Sequence, residues 1–570
     1  MELVRTPPPA LTSLQRWLLG ITSMAVAVTR IWSRSATLWD WDEALFCLGV
    51  REYNVALHHP HPPGFPLYIA AAKLLRFVVQ SDFRALQAIV TVSAIALFPL
   101  VFWLAWELRF AFRTAYLGAL LFVFLPNVWF YGGTAFSDVP GLALLLAACA
   151  AVLRGCRDRR WYFAGALLLG LAAAIRPQAL MIGCAPALVA SWCRVREKRW
   201  RDVVMASVVG IVIIALSYGG AALATGVEGY TAANHNLREY VRQVDSFLNP
   251  DRQPVLTLFP SFFVREIPGG TPSDVVATLA LLAIVISIVR RDARVWLLVA
   301  MFLPFNVFGW FMLDTNSISR YAVSYLPMYA LLAADALALI PIVQFAVVAA
   351  LVLRLGWWAV PPLREVRHTA SPPVASMQWI RAHVPHTAKV FVHGSMGPWA
   401  SYMLGGYDAT IIGDPSELPQ RGIAADEWLV TEGATAAGGG QNFVRDRGRL
   451  FDIVRQRYFE VSVAPASAMF RFGRGWYGEE SVGTAWWRWM SGRSETLLPP
   501  VSGNARLELG FDLPSELVPR RPTITVTLNG ARVDQFVVAT PSAKKSWIVP
   551  ARSDRWNELT IEMDKVINPA

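Results

Sequence analysis

A chain of 570 residues that is 55% hydrophobic and only 16% charged departs from soluble proteins, which average about 25% charged, and reads as a polytopic α-helical membrane protein. Its formal net charge of +11 does not indicate nucleic acid as a partner. The arginines fall in short bursts between apolar runs, as in loops on the cytoplasmic side of a membrane, rather than on one soluble face. The cysteines (Cys47, Cys149, Cys156, Cys184 and Cys193) match no zinc spacing, and none follows Cys193, so a C-terminal module would hold no internal disulfide.

Arg5 and Arg16 precede an apolar run from Trp17 to Val28 with no small-x-small cleavage site after it. An uncleaved first membrane helix is therefore favoured over a signal peptide. Arg30 and Arg34, one helical turn apart, share a face near its end and are expected to turn inward or reach the interface. A spanning helix takes about 20 mostly apolar residues. Stretches of this kind run near 17–37, 84–106, 114–131, 139–153, 161–175, 178–193, 203–224, 275–289, 295–313, 321–340 and 342–360, which makes about eleven spans.

Basic bursts follow the even-numbered spans: Arg109 and Arg113, then Arg154 to Arg160, Arg194 to Arg201, and Arg290 to Arg294. They mark the cytoplasmic side. The expectation is a multi-pass protein of the inner (plasma) membrane, with a cytoplasmic N-terminus and a periplasmic region after residue 362. The outward pieces are then the loop from Trp39 to Arg76, the turn from Gly132 to Asp138, Arg176-Pro177-Gln178, the long loop 225–274, and the stretch from Asp314 to Tyr321.

Three domains are expected: a transmembrane catalytic domain over 1–362, an α/β domain over 363–473, and a β-sandwich over 474–570. SMQWIRAHV reads as a helix, AKVFVHG and EWLVTEG as strands, and FDIVRQRYFEVSV as a helix running into a strand. Gly438-Gly439-Gly440 reads as a loop. ARLELGFDL, TITVTLNGARV and NELTIEM alternate apolar and polar residues, and Asn529-Gly530 is a hairpin turn. Trp476-Tyr477, Trp486-Trp487 and Trp489 are either sandwich core or a carbohydrate-stacking face.

The opening loop, WDWDEALFCLGVREYNVALHHPHPPGFPLYIAAAKLLR, concentrates acids and histidines. Asp42 and Glu43 are adjacent and cannot both point the same way on regular structure, so at most one reacts. A carboxylate at a membrane interface serves as general base toward a hydroxyl; the plainer alternative is a helix cap. His58, His59 and His61 suit a divalent metal or a phosphate, and HHPHPPGFP resists helix. Arg176 and Arg320 face the same side and suit phosphate through their planar donor fork. Asp138 either caps the fourth span or joins the site. His235 and Glu266 are further candidates in the long loop.

Asp40-Trp41-Asp42-Glu43, then Pro62-Pro63 before an amphipathic re-entry helix, then an outward turn ending in Asp138, resemble the GT-C superfamily of membrane glycosyltransferases. Within it, the chain is similar to the branch of protein O-mannosyltransferases and the lipid A aminoarabinose transferase. Arg320-Tyr321 followed by Pro327 resembles that branch's Arg-Tyr at the opening of a late span. The resemblance covers the membrane half. One departure is that the aminoarabinose transferase has Glu-Lys just before Pro-Pro, where this chain has Pro60-His61.

The resemblance implies transfer of a sugar, with inversion, from a polyprenyl-phosphate carrier in the membrane lipid to an extracytoplasmic protein, lipid or glycan. It implies Asp42, Glu43 and Asp138 as catalytic, with Asp42 the base, and Arg320, Arg176 and Tyr321 on the donor phosphate. His59 and His61 would contact phosphate or a divalent cation, replacing the missing acid, and His235 would lie on the acceptor side. The rival reading is a transporter or flippase of a lipid-linked saccharide. Transporters place charges at the bilayer midplane and show paired halves, and neither is visible in this sequence.

Overall fold

The computed structural model describes residues 5–413, 427–432, 440–446, 448–454, 459–466, 471–482, 485–501 and 503–567. The chain divides into two compact units, Met1–Ser371 with Gly448–Gln456, and Pro372–Arg447 with Arg457–Ala570.

The first unit is a helical bundle. Its first helix, α1 (Ser13–Trp32), starts on a capping box made by Thr12 and Gln15. Arg30 is fully buried, donates to the Val123 carbonyl and lies over the Trp129 ring at 5.2 Å, whereas Arg34 lies past the helix end and is exposed. The pair thus divides the two fates expected of it. Two shorter helices follow, α2 (Trp41–Arg51) and α3 (Pro66–Val79). The latter leaves Leu74, Phe77 and Val78 exposed on one side, as a helix re-entering along a membrane surface would.

The bundle continues through α4 (Asp82–Glu107), α5 (Phe112–Val123), α6 (Pro126–Tyr131), α7 (Asp138–Arg154), α8 (Arg159–Ile175), α9 (Ala179–Arg196) and α10 (Trp200–Thr225). The long loop folds partly into α11 (Val227–Tyr240) and α12 (Val255–Phe263). After it come α13 (Thr271–Arg290), α14 (Ala293–Met312), α15 (Ile318–Ala322), α16 (Leu326–Ala336) and α17 (Pro341–His368).

Among the described residues, six helices are long and apolar enough to cross a membrane: α4, α9, α10, α13, α14 and the segment opened by α17. Two of the expected spans are broken instead. Over 114–131 the helix stops at Val123 and Pro126 opens α6; over 321–340 it stops at Ala322 and Pro327 sits in the first turn of α16. Proline has no N–H to continue a helix and is well placed only at a new start. Conversely, α17 runs through Pro361-Pro362 to His368.

The basic bursts gather at one end of the bundle. Arg157 pairs with Glu107, Arg159 with Asp202 at 2.9 Å, Arg194 donates to the Gly155 carbonyl, and Arg294 to that of Arg109. Asp138 opens α7 and Arg176 follows α8, so both lie at the opposite end. A late piece of chain completes this unit. Leu450 and Ile453 are buried, the Tyr131 hydroxyl donates to the Ile453 carbonyl at 2.9 Å, and Arg449 donates to that of Trp358 at 3.2 Å.

The second unit starts with α18 (Pro372–His383) and a mixed sheet in the order β2-β1-β3-β5-β4. Its strands are β1 (Lys389–His393), β2 (Asp408–Ile412), β3 (Glu427–Glu432), β4 (Gln441–Val444) and β5 (Glu460–Pro465); β1 pairs parallel with both β2 and β3. The expected helix before β5 falls partly on 455–458, and Gly438-Gly439 of the expected loop also lies outside the described residues.

The C-terminal part is β-rich. A five-stranded sheet in the order β12-β11-β14-β9-β6 is built from β6 (Arg471–Phe472), β9 (Arg493–Leu498), β11 (Thr523–Leu528), β12 (Ala531–Val537) and β14 (Asn557–Met563). The pair formed by β10 (Asn504–Asp512) and β13 (Ser542–Pro550) packs Leu507, Phe511 and Trp547 onto its core of Val526, Leu559 and Ile561. Alternation along β10 and β11 explains why each strand buries only one face. Asn529 and Gly530 both take positive φ, as the tight β11–β12 hairpin requires. Trp476 packs against this core and donates to Thr496 at 3.0 Å, so it is a structural tryptophan. Tyr477 and Trp489 are exposed, and the side chains of Trp486 and Trp487 lie outside the described residues.

Candidate active site

Asp40 is the N-cap of α2, and Glu43 completes a capping box with it. One Glu43 oxygen accepts the N–H groups of Trp39 (2.6 Å) and Asp40 (3.1 Å), while the other accepts that of Ala135 at 2.7 Å. Glu43 therefore both starts the helix and fastens it to the turn before α7. It is fully buried, and burial pushes its carboxyl up to about 8 against the pull of the backbone donors. Of the pair Asp42-Glu43, the plain reading as a cap holds for Glu43, which caps α2 together with Asp40.

Asp42 points elsewhere. Its Oδ2 accepts from Arg320 Nη1 at 2.5 Å, and its Oδ1 is 3.8 Å from His61 Nδ1. The histidine reaches this position because its loop folds back over α2. Gly49 lies so close to Pro60 that a Cβ would stand 2.7 Å from the ring, and Gly64 takes φ +97° with a Cβ position 2.5 Å from the Tyr53 hydroxyl. His61 packs between Phe46 and Phe65, and burial lowers its pKa to about 4, so it is neutral at neutral pH.

Asp138 is the first residue of α7; Ser137 occupies the N-cap position and makes no side-chain cap bond. Asp138 instead pairs with Arg176 Nη1 at 2.9 Å, and that same nitrogen donates to Ser137 Oγ at 3.0 Å. Arg176 lies over the Phe65 ring at 5.8 Å, and Arg320 over Phe136 at 4.9 Å and Tyr321 at 5.0 Å. Arg320 also donates to the Tyr321 hydroxyl at 3.3 Å. The charges of Asp42, Arg320 and Arg176 all act on His61, and that of Asp138 acts on Arg320. The structure thus brings Asp42, His61, Asp138, Arg176, Arg320 and Tyr321 into one cluster, with Glu43 anchoring it from behind.

His59 is not part of this cluster: it bridges to Asn54, and its charged neighbours are Glu52 and His58. His235 is exposed on α11, away from these contacts. Glu266 is buried with neither carboxylate oxygen bonded among the described residues, and burial raises its pKa to about 8. Asn127 donates to the backbone carbonyls of Glu266 (3.3 Å) and Ser319 (2.8 Å), tying that loop to the residue before Arg320. Asn127, Phe65, Phe136 and Ser137 are site-forming residues that carry no motif of their own. Their one sequence signal is position, in or beside the outward turns.

A resident metal finds no ready ligand set. Among the described residues no three of His, Cys, Asp and Glu converge to hold an ion. Within the cluster Asp42 and His61 approach to 3.8 Å, and one Asp42 oxygen is already on Arg320.

Residues 60–218 match the family described as dolichyl-phosphate-mannose-protein mannosyltransferase. No curated protein matches the chain. Among solved structures, the crystal structures of ArnT from Cupriavidus metallidurans in the apo state and bound to undecaprenyl phosphate are each 14% identical, with TM-scores of 0.40 and 0.39. Each alignment covers 70% of this chain and 76% of the other. The family match begins after Asp42 and Glu43 and ends before Arg320, but it includes His61, Asp138 and Arg176. This match and the first-loop motif both support a likeness of the helical unit to the GT-C superfamily of membrane glycosyltransferases.

Proposed function

We propose that the chain transfers a sugar from a polyprenyl-phosphate donor to a hydroxyl or amine acceptor on the extracytoplasmic side of the inner membrane. The observation that carries this reading is the paired arrangement of Asp42 with Arg320 and Asp138 with Arg176, at the end of the bundle opposite the basic bursts. The description of the matched family, which names a lipid-phosphate sugar, supports the donor class.

Asp42 accepts the acceptor's proton as the acceptor attacks the anomeric carbon. The bond from that carbon to the phosphate oxygen breaks, and the leaving phosphate keeps the electron pair. Arg320 and Arg176 face the charge that develops there, where fixed donors lower the barrier most. Tyr321 orients Arg320, and Asp138 holds Arg176 on station until the phosphate arrives. A single displacement inverts the anomeric centre. The carboxylates lie at helix ends, which favours this reading over a transporter with charges at the midplane.

The test uses purified Asp42→Asn in lipid with a panel of polyprenyl-phosphate sugars and native-membrane acceptors. Transfer is expected to fall by about 10²–10⁴ while circular dichroism shows the fold kept, the unfolding midpoint to drop because Arg320 loses its partner, and the wild-type product to have the anomeric configuration opposite to the donor's. Transfer at the wild-type rate by the folded variant would refute the assignment of Asp42.

A further inference from the structure

A cavity of about 320 Å³ lies where the chain leaves α1. It is lined by Arg34, Ser35, Ala36, Arg84, Arg367 and His368, with no carboxylate among them. Arg84 donates to the carbonyls of Ser35 (3.1 Å) and Ala36 (3.2 Å), and Arg367 to that of Trp32. Gln87 joins the floor to the catalytic turn by donating to the carbonyls of Ser35 (2.9 Å) and Gly133 (2.8 Å). Backbone carbonyls therefore fix the direction of these guanidinium groups without neutralising them. Three formal positive charges share one cavity, an arrangement that leaves mutual repulsion for an anion to relieve.

The surroundings indicate which anion. Along α1 the residues Trp17, Ile21, Met24, Val28 and Ile31 are all at least half exposed and recur at helical spacing, forming one apolar stripe that runs up to Arg34. On α17, Leu353, Trp357 and Val360 form a second stripe leading to Arg367 and His368. A polar cavity at the head of two apolar stripes matches a molecule with a charged head and hydrocarbon chains. Arginine suits phosphate by its planar fork of donors.

We propose that this cavity binds the phosphate of an anionic membrane phospholipid, whose chains lie along the two stripes. The site is separate from the one that handles the sugar donor, and the proposal depends on the helices spanning a membrane and not on sugar transfer. A lipid bound there would brace the 32–36 crossing and, through Gln87, the turn that carries Ala135 and Asp138.

The experiment compares retention of dioleoyl phosphatidylglycerol, dioleoyl phosphatidylcholine and inorganic phosphate by the purified full chain in detergent, read by native mass spectrometry and thermal unfolding. Arg34→Gln, His368→Gln and the double variant are used, because among the described residues the hydrogen bond of the Arg34 side chain goes to the carbonyl of Ile31, three residues back, and His368 is exposed. Phosphatidylglycerol is expected to bind in preference to phosphatidylcholine, and Arg34→Gln to weaken it about fivefold. Equal retention of the two lipids, inorganic phosphate binding as tightly as the anionic lipid, or unchanged affinity in the double variant would each overturn the proposal. Sugar transfer measured alongside separates the two readings, since Asp42→Asn is expected to leave lipid retention intact.

Discussion

Asp138 and Arg176 form a buried pair walled by Phe65, and either partner removed alone leaves the other's charge stranded. Arg176→Ala is therefore expected to destabilise the protein by about 3–5 kcal/mol. The double variant Asp138→Asn/Arg176→Gln should lose less than the sum of the single changes, as read by thermal unfolding in detergent. His61 supplies a pH signature. Its pKa falls from 6.5 to about 4 on folding, so the unfolded chain binds more protons between these values. The stabilisation it contributes is full above about pH 6.5 and is lost as the pH falls toward 4, on the order of 3 kcal/mol. His61→Phe keeps the contacts with Phe46 and Phe65 and is expected to flatten that acid limb. Residue types in the opening loop made the acidic pair legible as a candidate of which one member can face a given way, and it was the GT-C resemblance that singled out Asp42. Its partner was less legible, because a sequence separation of 278 between Asp42 and Arg320 is closed by packing and not by any local pattern. The separation of His61 from His59 likewise depends on how the loop folds back over α2.

The element that sets this geometry is the loop between α2 and α3. Gly64 has both positive φ and a neighbour at 2.5 Å from its missing Cβ, so Gly64→Ala is expected to cost more than about 1 kcal/mol. It should also reduce transfer, because the displaced loop carries His61; activity beside unfolding in the same preparation checks this. Hydropathy located the helices well, since apolar length is a property of the local chain. It missed the breaks after Val123 and Ala322, where Pro126 and Pro327 restart the helix within runs that remain apolar throughout. Hydropathy averages over such breaks, yet they place Asn127 under the Ser319 carbonyl and Arg320 in the last turn of the short helix α15. Strand alternation made β10 and β11 readable for the same reason that it buries one face of each, whereas β1 and β3 are short apolar runs with three consecutive residues buried.

At the scale of the molecule, the two units are not two consecutive pieces of sequence. The segment around Leu450 and Ile453 belongs with the helices, and its Ile453 carbonyl takes the hydroxyl of Tyr131, the last residue of α6 before the turn that leads to Asp138. No sequence pattern announces this return, because a short mixed segment bears no mark of the surface it will meet. A chain ended after Ser371 is expected to keep its helices but to unfold at lower temperature and to transfer sugar more slowly, measured by circular dichroism and by donor consumption.

That return also sets a schedule for synthesis. A ribosome that has finished α17 has delivered every charged residue of the cluster, yet the surface that Tyr131 needs is still about 80 residues away at typical rates of 5–20 residues per second. The growing protein therefore spends seconds with the end that holds this cluster unfinished. Its last structural contribution arrives only after most of the following sheet has been made.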